Sequence, residues 1–500
     1  MRKQMTITKF TSMFALLLML VGCDDFLDVN DNPNDPPIST PSLTLPVAQQ
    51  SLANLNATTM TYLGNFLAYN WATPSNWSAN ADFSRYNVTS NFFSTVFETS
   101  YVDIFKNLTY IQHFEDASGA VDYTTYKAIA LVLKAYQYQY LVDLYGDIPY
   151  TEANQRGENT TPVYDDAETV YKANIAALTT AVEMFQNLPE NAEDPGTQDI
   201  IFHGDVTLWT QFANTIKLRM LVRLSNLGQD SYINEQIALI EQNGVGFIDM
   251  TVSANPGYSD NENKQSPFFG YFRLPSTGEE SDRGDFTVAS DFTIDYLLDT
   301  NDERISRLYA ESASNGDFKG VEQSTILPGS GFTSNDLSKV GPGLLVSADQ
   351  DQPIMLLEES LLLQAEAIVR GYLSGDDTMA KELYNAAISE SFSRLGVEDP
   401  LNSAAAYYSQ PIENVLWDAS PNKIEAIITQ KWVALNGTSS IELWIEKTRT
   451  GFPTGLPVPA ESNGTRPVRL LYPASEIARN TNNVPQQTVQ DAFTKPPFWN

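Results

Sequence analysis

The sequence predicts an all-α fold, a tetratricopeptide-like helical superhelix carrying long irregular loop insertions. Three observations predict it. Apolar residues recur at three- and four-residue spacings along most of the 500-residue chain, the signature of helices that bury one face. Gly and Pro punctuate the gaps between those segments. Ala380, Tyr384 and Ala387 place small, aromatic and small side chains at i, i+4 and i+7. In the second helix of such a repeat, that stripe lets the paired helix approach closely.

The chain opens with Arg2, Lys3 and Lys9 ahead of an apolar run from Phe14 to Val21. The run is too short to span a bilayer and has the length of a secretory signal core. Leu20-Val21-Gly22-Cys23 follows, and Cys23 is the chain's single cysteine. A small residue before that cysteine resembles a bacterial lipobox. Residues 1–22 therefore read as a lipoprotein signal peptide and Cys23 as the acylated residue. Acyl chains contribute about 0.8 kcal/mol per buried CH2, so several of them moor a water-soluble domain. No later stretch reaches about 18 unbroken apolar residues, so membrane contact is expected through the lipid anchor only.

Residues 23–42, rich in Asp, Asn, Pro and Ser, read as a flexible tether. Asp28, Asn30 and Asn32 begin a calcium-loop spacing. Pro33 stands where that loop needs Gly, and Ser39 where it needs Glu, which excludes an EF-hand. No cofactor is expected; a structural calcium elsewhere stays open and unassigned.

Helical spacing then runs through 43–70, 91–115, 122–145, 164–187, 204–227 and 230–242, and again through 289–311, 354–373, 377–396 and 421–447. The stretches 244–288 and 312–353 carry Gly, Pro, Ser, Asn and aromatics without helical period. They read as insertions into a single domain spanning 43–500, and loops of that length are commonly functional.

Composition excludes several functions. There are 62 acidic residues against 30 basic, a net charge of -32, which argues against a nucleic-acid partner. One cysteine rules out an intrachain disulfide and a cysteine-based zinc site. The histidines are His113 and His203 alone, and both read as structural. No Gly-x-Ser-x-Gly, HExxH, P-loop or GxGxxG pattern occurs. No catalytic residue and no metal ligand is expected. Two alternatives stay open: a helical scaffold that binds only protein, and a surface glycoside hydrolase using carboxylates roughly 5–9.5 Å apart.

Two segments off the helical pattern mix aromatic rings with amides and charges. The first holds Trp71, Asn76, Trp77, Asn80, Phe83, Arg85 and Tyr86; the second holds Tyr258, Phe268, Phe269, Tyr271, Phe272 and Arg273. Rings stack on apolar sugar faces while amides and charges fix hydroxyls, and peptides use similar pockets. The candidate ligand contacts are Trp71, Trp77, Tyr86, Phe269, Tyr271, Phe272 and Arg273.

A further set of motifs runs along the chain in order. Phe26-Leu27-Asp28-Val29-Asn30 precedes Asp143-Leu144-Tyr145-Gly146-Asp147-Ile148-Pro149-Tyr150. Arg283-Gly284-Asp285-Phe286 and Asp302-Glu303-Arg304 follow, then the helix pair at 357–396. Gln430-Lys431-Trp432-Val433-Ala434-Leu435, Arg449-Thr450-Gly451-Phe452-Pro453 and Tyr472-Pro473 close the series. Behind a lipobox, this series resembles the SusD/RagB family of Bacteroidetes outer-membrane nutrient-binding lipoproteins, in its SusD-like 2 branch. The resemblance implies a non-catalytic receptor on the outer membrane that captures an oligosaccharide or peptide. It also implies delivery to a SusC-type TonB-dependent transporter barrel. Asp24 and Asp25 resemble a surface-export signal, implying that the domain faces the exterior. The motif residues Gln430, Lys431 and Trp432 read as helix packing, not as ligand contacts.

Overall fold

The computed structural model describes residues 39–275, 277–325 and 333–500. The signal peptide, Cys23, the Asp24-Asp25 pair and the tether up to residue 38 lie outside the described residues.

Helix α1 (Pro41–Leu55) starts on proline, whose missing N–H is no loss at a first helical position. A π turn at Asn56–Met60 carries it into α2 (Thr61–Leu67). Helices α3 (Lys106–His113), α4 (Thr124–Tyr145), α5 (Ala167–Gln186), α6 (Val206–Arg223) and α7 (Asp230–Asn243) follow, each packed on the next. Side chains set their boundaries. Asp166 Oδ1 accepts from the Thr169 N–H at 2.9 Å and starts α5. Asp205 Oδ1 does the same for α6, accepting from Thr207 and Leu208. Such caps are each worth about 1 kcal/mol. Gly146, at φ +82°, ends α4, a conformation that costs glycine little.

The second half contains α8 (Pro267–Phe272), α9 (Asp282–Asp285), α10 (Asp291–Asp299), α11 (Leu357–Val369) and α12 (Asp377–Leu395). After them come α13 (Pro400–Tyr408), α14 (Lys423–Ala434) and α15 (Ile441–Thr450). Helix α11 packs on α12, α12 on α13, and α14 returns to α11. The stripe read from the sequence faces this contact: Ala380, Tyr384 and Ala387 are buried in one cluster with Leu362 and Ala365 of α11. Gln430, Lys431 and Trp432 are buried too, and the Trp432 indole N–H donates to the Ala68 carbonyl at 2.9 Å. The helical, tetratricopeptide-like class holds.

Three expectations need correction. The segment 421–447 is two helices, not one. The chain turns at Gly437, whose φ is +78° and whose N–H donates to Asn65 Oδ1 at 3.1 Å. That turn brings the start of α15 against α2 so closely that a Cβ on Gly64 would lie 2.2 Å from the Ile441 nitrogen. The segment 289–311 likewise divides after Asp299. The insertions are not wholly irregular either. Strand β1 (Trp71–Ala72) pairs with β3 (Val288–Ala289), and β2 (Val252–Ala254) pairs with β4 (Gln352–Met355), both antiparallel. These short ladders tie the early loop and the two insertions to one another.

Candidate ligand-binding site

The six residues of α8 read Pro-Phe-Phe-Gly-Tyr-Phe, and their rings diverge. Phe268 and Phe272 point into the core. Phe269 and Tyr271 stay half-buried and line two different surfaces.

Phe269 lines a cavity of about 430 Å³ built where the two insertions meet. The first insertion contributes Tyr258, Ser259 and Asp260, and beyond Phe269 the turn at Pro275, Thr277 and Gly278. The second contributes Ser347, Ala348 and Asp349. The β2–β4 ladder holds these segments in register. Asn255 adds a clamp, since its amide donates to Asp351 Oδ1 at 2.7 Å. Tyr258 is 8% exposed, and its hydroxyl donates to Gln50 Oε1 of α1 at 3.0 Å. Burial pushes that phenol up to about 12, against the Gln50 bond, so it stays protonated at neutral pH. Arg273 forms a bridge with Glu280 across the turn and an ion pair at 3.9 Å. It shapes the wall of the cavity and does not line it. The cavity therefore offers the half-buried Phe269 ring beside the buried Tyr258, three hydroxyls (Ser259, Thr277 and Ser347) and two exposed carboxylates. Its volume falls in the range of small-molecule sites.

Tyr271 belongs to a second surface, where the two sequence segments meet. The Arg283 guanidinium lies 4.3 Å from the centre of the Tyr271 ring and 4.8 Å from that of Tyr62. The buried Tyr62 hydroxyl donates to Asn80 Oδ1 at 2.7 Å, and the Asn80 amide donates to the Phe286 carbonyl at 3.1 Å. Trp77 stands half-buried and edge-on to Phe286, 5.3 Å between ring centres. Asp285 of the Arg-Gly-Asp tripeptide is bound by Lys339 Nζ at 2.7 Å and by the Ser334 hydroxyl at 2.6 Å.

Three candidates leave the site. Trp71 and Phe272 are each 1% exposed and Tyr86 is 3%. Trp71 sits on a core strand among Tyr62, Phe66 and Phe272, with ring centres 5.6–6.1 Å apart. A cluster of that kind forms because each ring buries a large apolar area. Phe269 stays half-buried at the cavity, and Tyr271 and Trp77 stay half-buried at the second surface. Asp260, Ser347 and Asp349 were missed; they come from loops without a motif, and only the β2–β4 pairing brings them together. His113 and His203 are exposed. Among the described residues no group of three or more His, Cys, Asp or Glu is placed to hold a metal ion. No described helix is long and apolar enough to cross a membrane.

Comparison with known proteins agrees with this architecture. A chitin-binding SusD homologue from Flavobacterium johnsoniae superposes with a TM-score of 0.70 at 21% identity, over 88% of this chain and 94% of that one. A SusD homologue from Bacteroides fragilis gives 0.71 at 21%, over 92% and 99%. A SusD/RagB family protein from Bacteroides thetaiotaomicron gives 0.73 at 18%, over 92% and 99%. A comparison with curated protein sequences finds no match. The SusD-like_2 family, described as starch-binding associating with outer membrane, matches residues 33–473. The chain belongs to that family.

Proposed function

We propose that this chain is a lipid-anchored cell-surface receptor that captures a neutral oligosaccharide and hands it, unaltered, to a SusC-type TonB-dependent transporter barrel. The observation that carries the reading is the cavity between the insertions, where the Phe269 ring stands beside hydroxyls and carboxylates. Sugar rings stack on aromatic faces, and their hydroxyls donate to carboxylates. Two relatives of the same fold are named as chitin-binding, which favours a glycan over a peptide. The net charge of -32 repels acidic polysaccharides within a Debye length of about 10 Å. The family's outer-membrane description supports the location, and acylation at Cys23 supplies the mooring.

Isothermal titration of the full chain against neutral oligomers of N-acetylglucosamine and of glucose, with uronic-acid oligomers and peptides as contrasts, tests the reading. Binding of a neutral oligomer that is recovered intact, with a barrel co-purifying from the native membrane, is the expected result. Shortened oligomers would instead make the protein a hydrolase. Silence across all glycans would overturn the proposal.

A further inference from the structure

A second cavity, about 280 Å³ in volume, is lined entirely from α5, α6 and α7, with no residue from either insertion. Leu178, Val182 and Ile240 give it an aliphatic side, and Gln186, Asn214, Gln242 and Asn243 give it a polar one. Lys217 of α6 lines it while only 3% exposed. Its ammonium donates to the Thr179 hydroxyl at 2.8 Å, which uses one of its three donors. Several other buried cations are matched by a carboxylate. Arg304 has Asp302 at 2.6 Å, Lys431 has Glu446 at 3.2 Å and Arg449 has Glu366 at 2.8 Å. Lys217 has no such ion pair among the described residues. The carboxylate that faces it is Glu183, exposed on the cavity's edge. Burying a charge without a counter-charge is costly. Burial pushes the Lys217 amine down to about 8, with Glu183 opposing.

We propose that this cavity binds a small aliphatic monocarboxylate, whose carboxylate accepts from Lys217 Nζ and whose hydrocarbon body lies on Leu178, Val182 and Ile240. The ligand supplies, within reach of Lys217, the anion that no described ion pair provides. Glu183 at the edge disfavours a second negative charge and tolerates an ammonium. A short branched fatty acid and a free aliphatic amino acid share the required chemistry.

The test uses the full chain and three probes of one shape: 4-methylpentanoate, L-leucine and 4-methylpentanamide. Titration is expected to show binding of at least one of the two acids, with the amide at least tenfold weaker. Binding of both acids or of 4-methylpentanoate alone assigns a fatty acid as sufficient; leucine alone assigns an amino acid. Lys217→Met is expected to lose the acid signal at least tenfold. A measurement without a variant runs beside it. The bound acid should slow acetylation of Lys217 by acetic anhydride, read by peptide mass spectrometry, and the amide should not. An amide that binds as well as the acids, or a Lys217 acetylation rate that neither acid changes, overturns the proposal.

Discussion

Arg449 of α15 meets Glu366 of α11 in a two-pronged pair, Nη1 to Oε1 at 2.8 Å and Nη2 to Oε2 at 2.9 Å. Arg449 Nε also donates to Glu446 at 2.8 Å. All three side chains are buried. Both ends of the pair lie in stretches read as motifs, the repeat helix and the Arg-Thr-Gly-Phe-Pro block. Removing one partner of such a group leaves charge buried and unmatched. Arg449→Met is expected to cost about 3–5 kcal/mol, seen as a lower urea midpoint with an unchanged slope.

The same pair sets an acid response. Burial pushes the Glu366 carboxyl up, but the Arg449 charge outweighs it and holds the group below the usual carboxylate range. The stability it contributes is therefore full above the unfolded value of about 4.3 and fades as pH falls through the lower folded value. The stability gap between the wild type and Glu366→Gln should be widest at pH 7 and narrow below pH 4. Urea titrations at several pH values read this directly, and a gap that stays constant would remove Arg449 as the cause.

Lys217 gives a slope of the same sign at higher pH, because its folded value is also depressed. Its folded value of about 8 lies below the ordinary lysine value of about 10.4. The buried charge is carried in full below pH 8, and its cost fades as the folded protein releases the proton between pH 8 and 10. Lys217→Met should be more stable than wild type at pH 7, with an advantage that shrinks toward pH 10. The pH-dependent part is on the order of 3 kcal/mol.

Rings that reach the ligand and rings that hold the fold should separate by substitution. Phe269→Ala removes a half-buried ring from the cavity wall and should weaken a bound glycan about tenfold, the order of one aromatic contact, with little change in thermal midpoint. Trp71→Ala empties a fully packed position and should cost about 3–5 kcal/mol. Titration and differential scanning calorimetry on both variants make the comparison.

The helical frame was legible because its signals are local. The Ala380, Tyr384 and Ala387 stripe is a spacing on one helix, and it faces α11 as read. The break at Gly437 was not, because Asn65, 372 residues away in sequence, accepts its N–H. In the site, composition marked α8 as aromatic-rich but could not orient six residues. Phe268 and Phe272 turn inward while Phe269 turns out. Trp71 sits on a two-residue strand, where alternation has no length to register. Asp260 and Asp349 become neighbours only through a long-range ladder. The buried charges of α6 were equally hidden, since Arg219 and Arg223 look like a solvated face until Glu359, Glu442 and Asp143 arrive from other helices.

A structure of the full chain bound to the tightest glycan found by titration tests the central claim most directly. The expected result is a sugar ring stacked on Phe269, between the loop at 258–260 and the loop at 347–349. A sugar seated elsewhere, with that cavity empty, would contradict it.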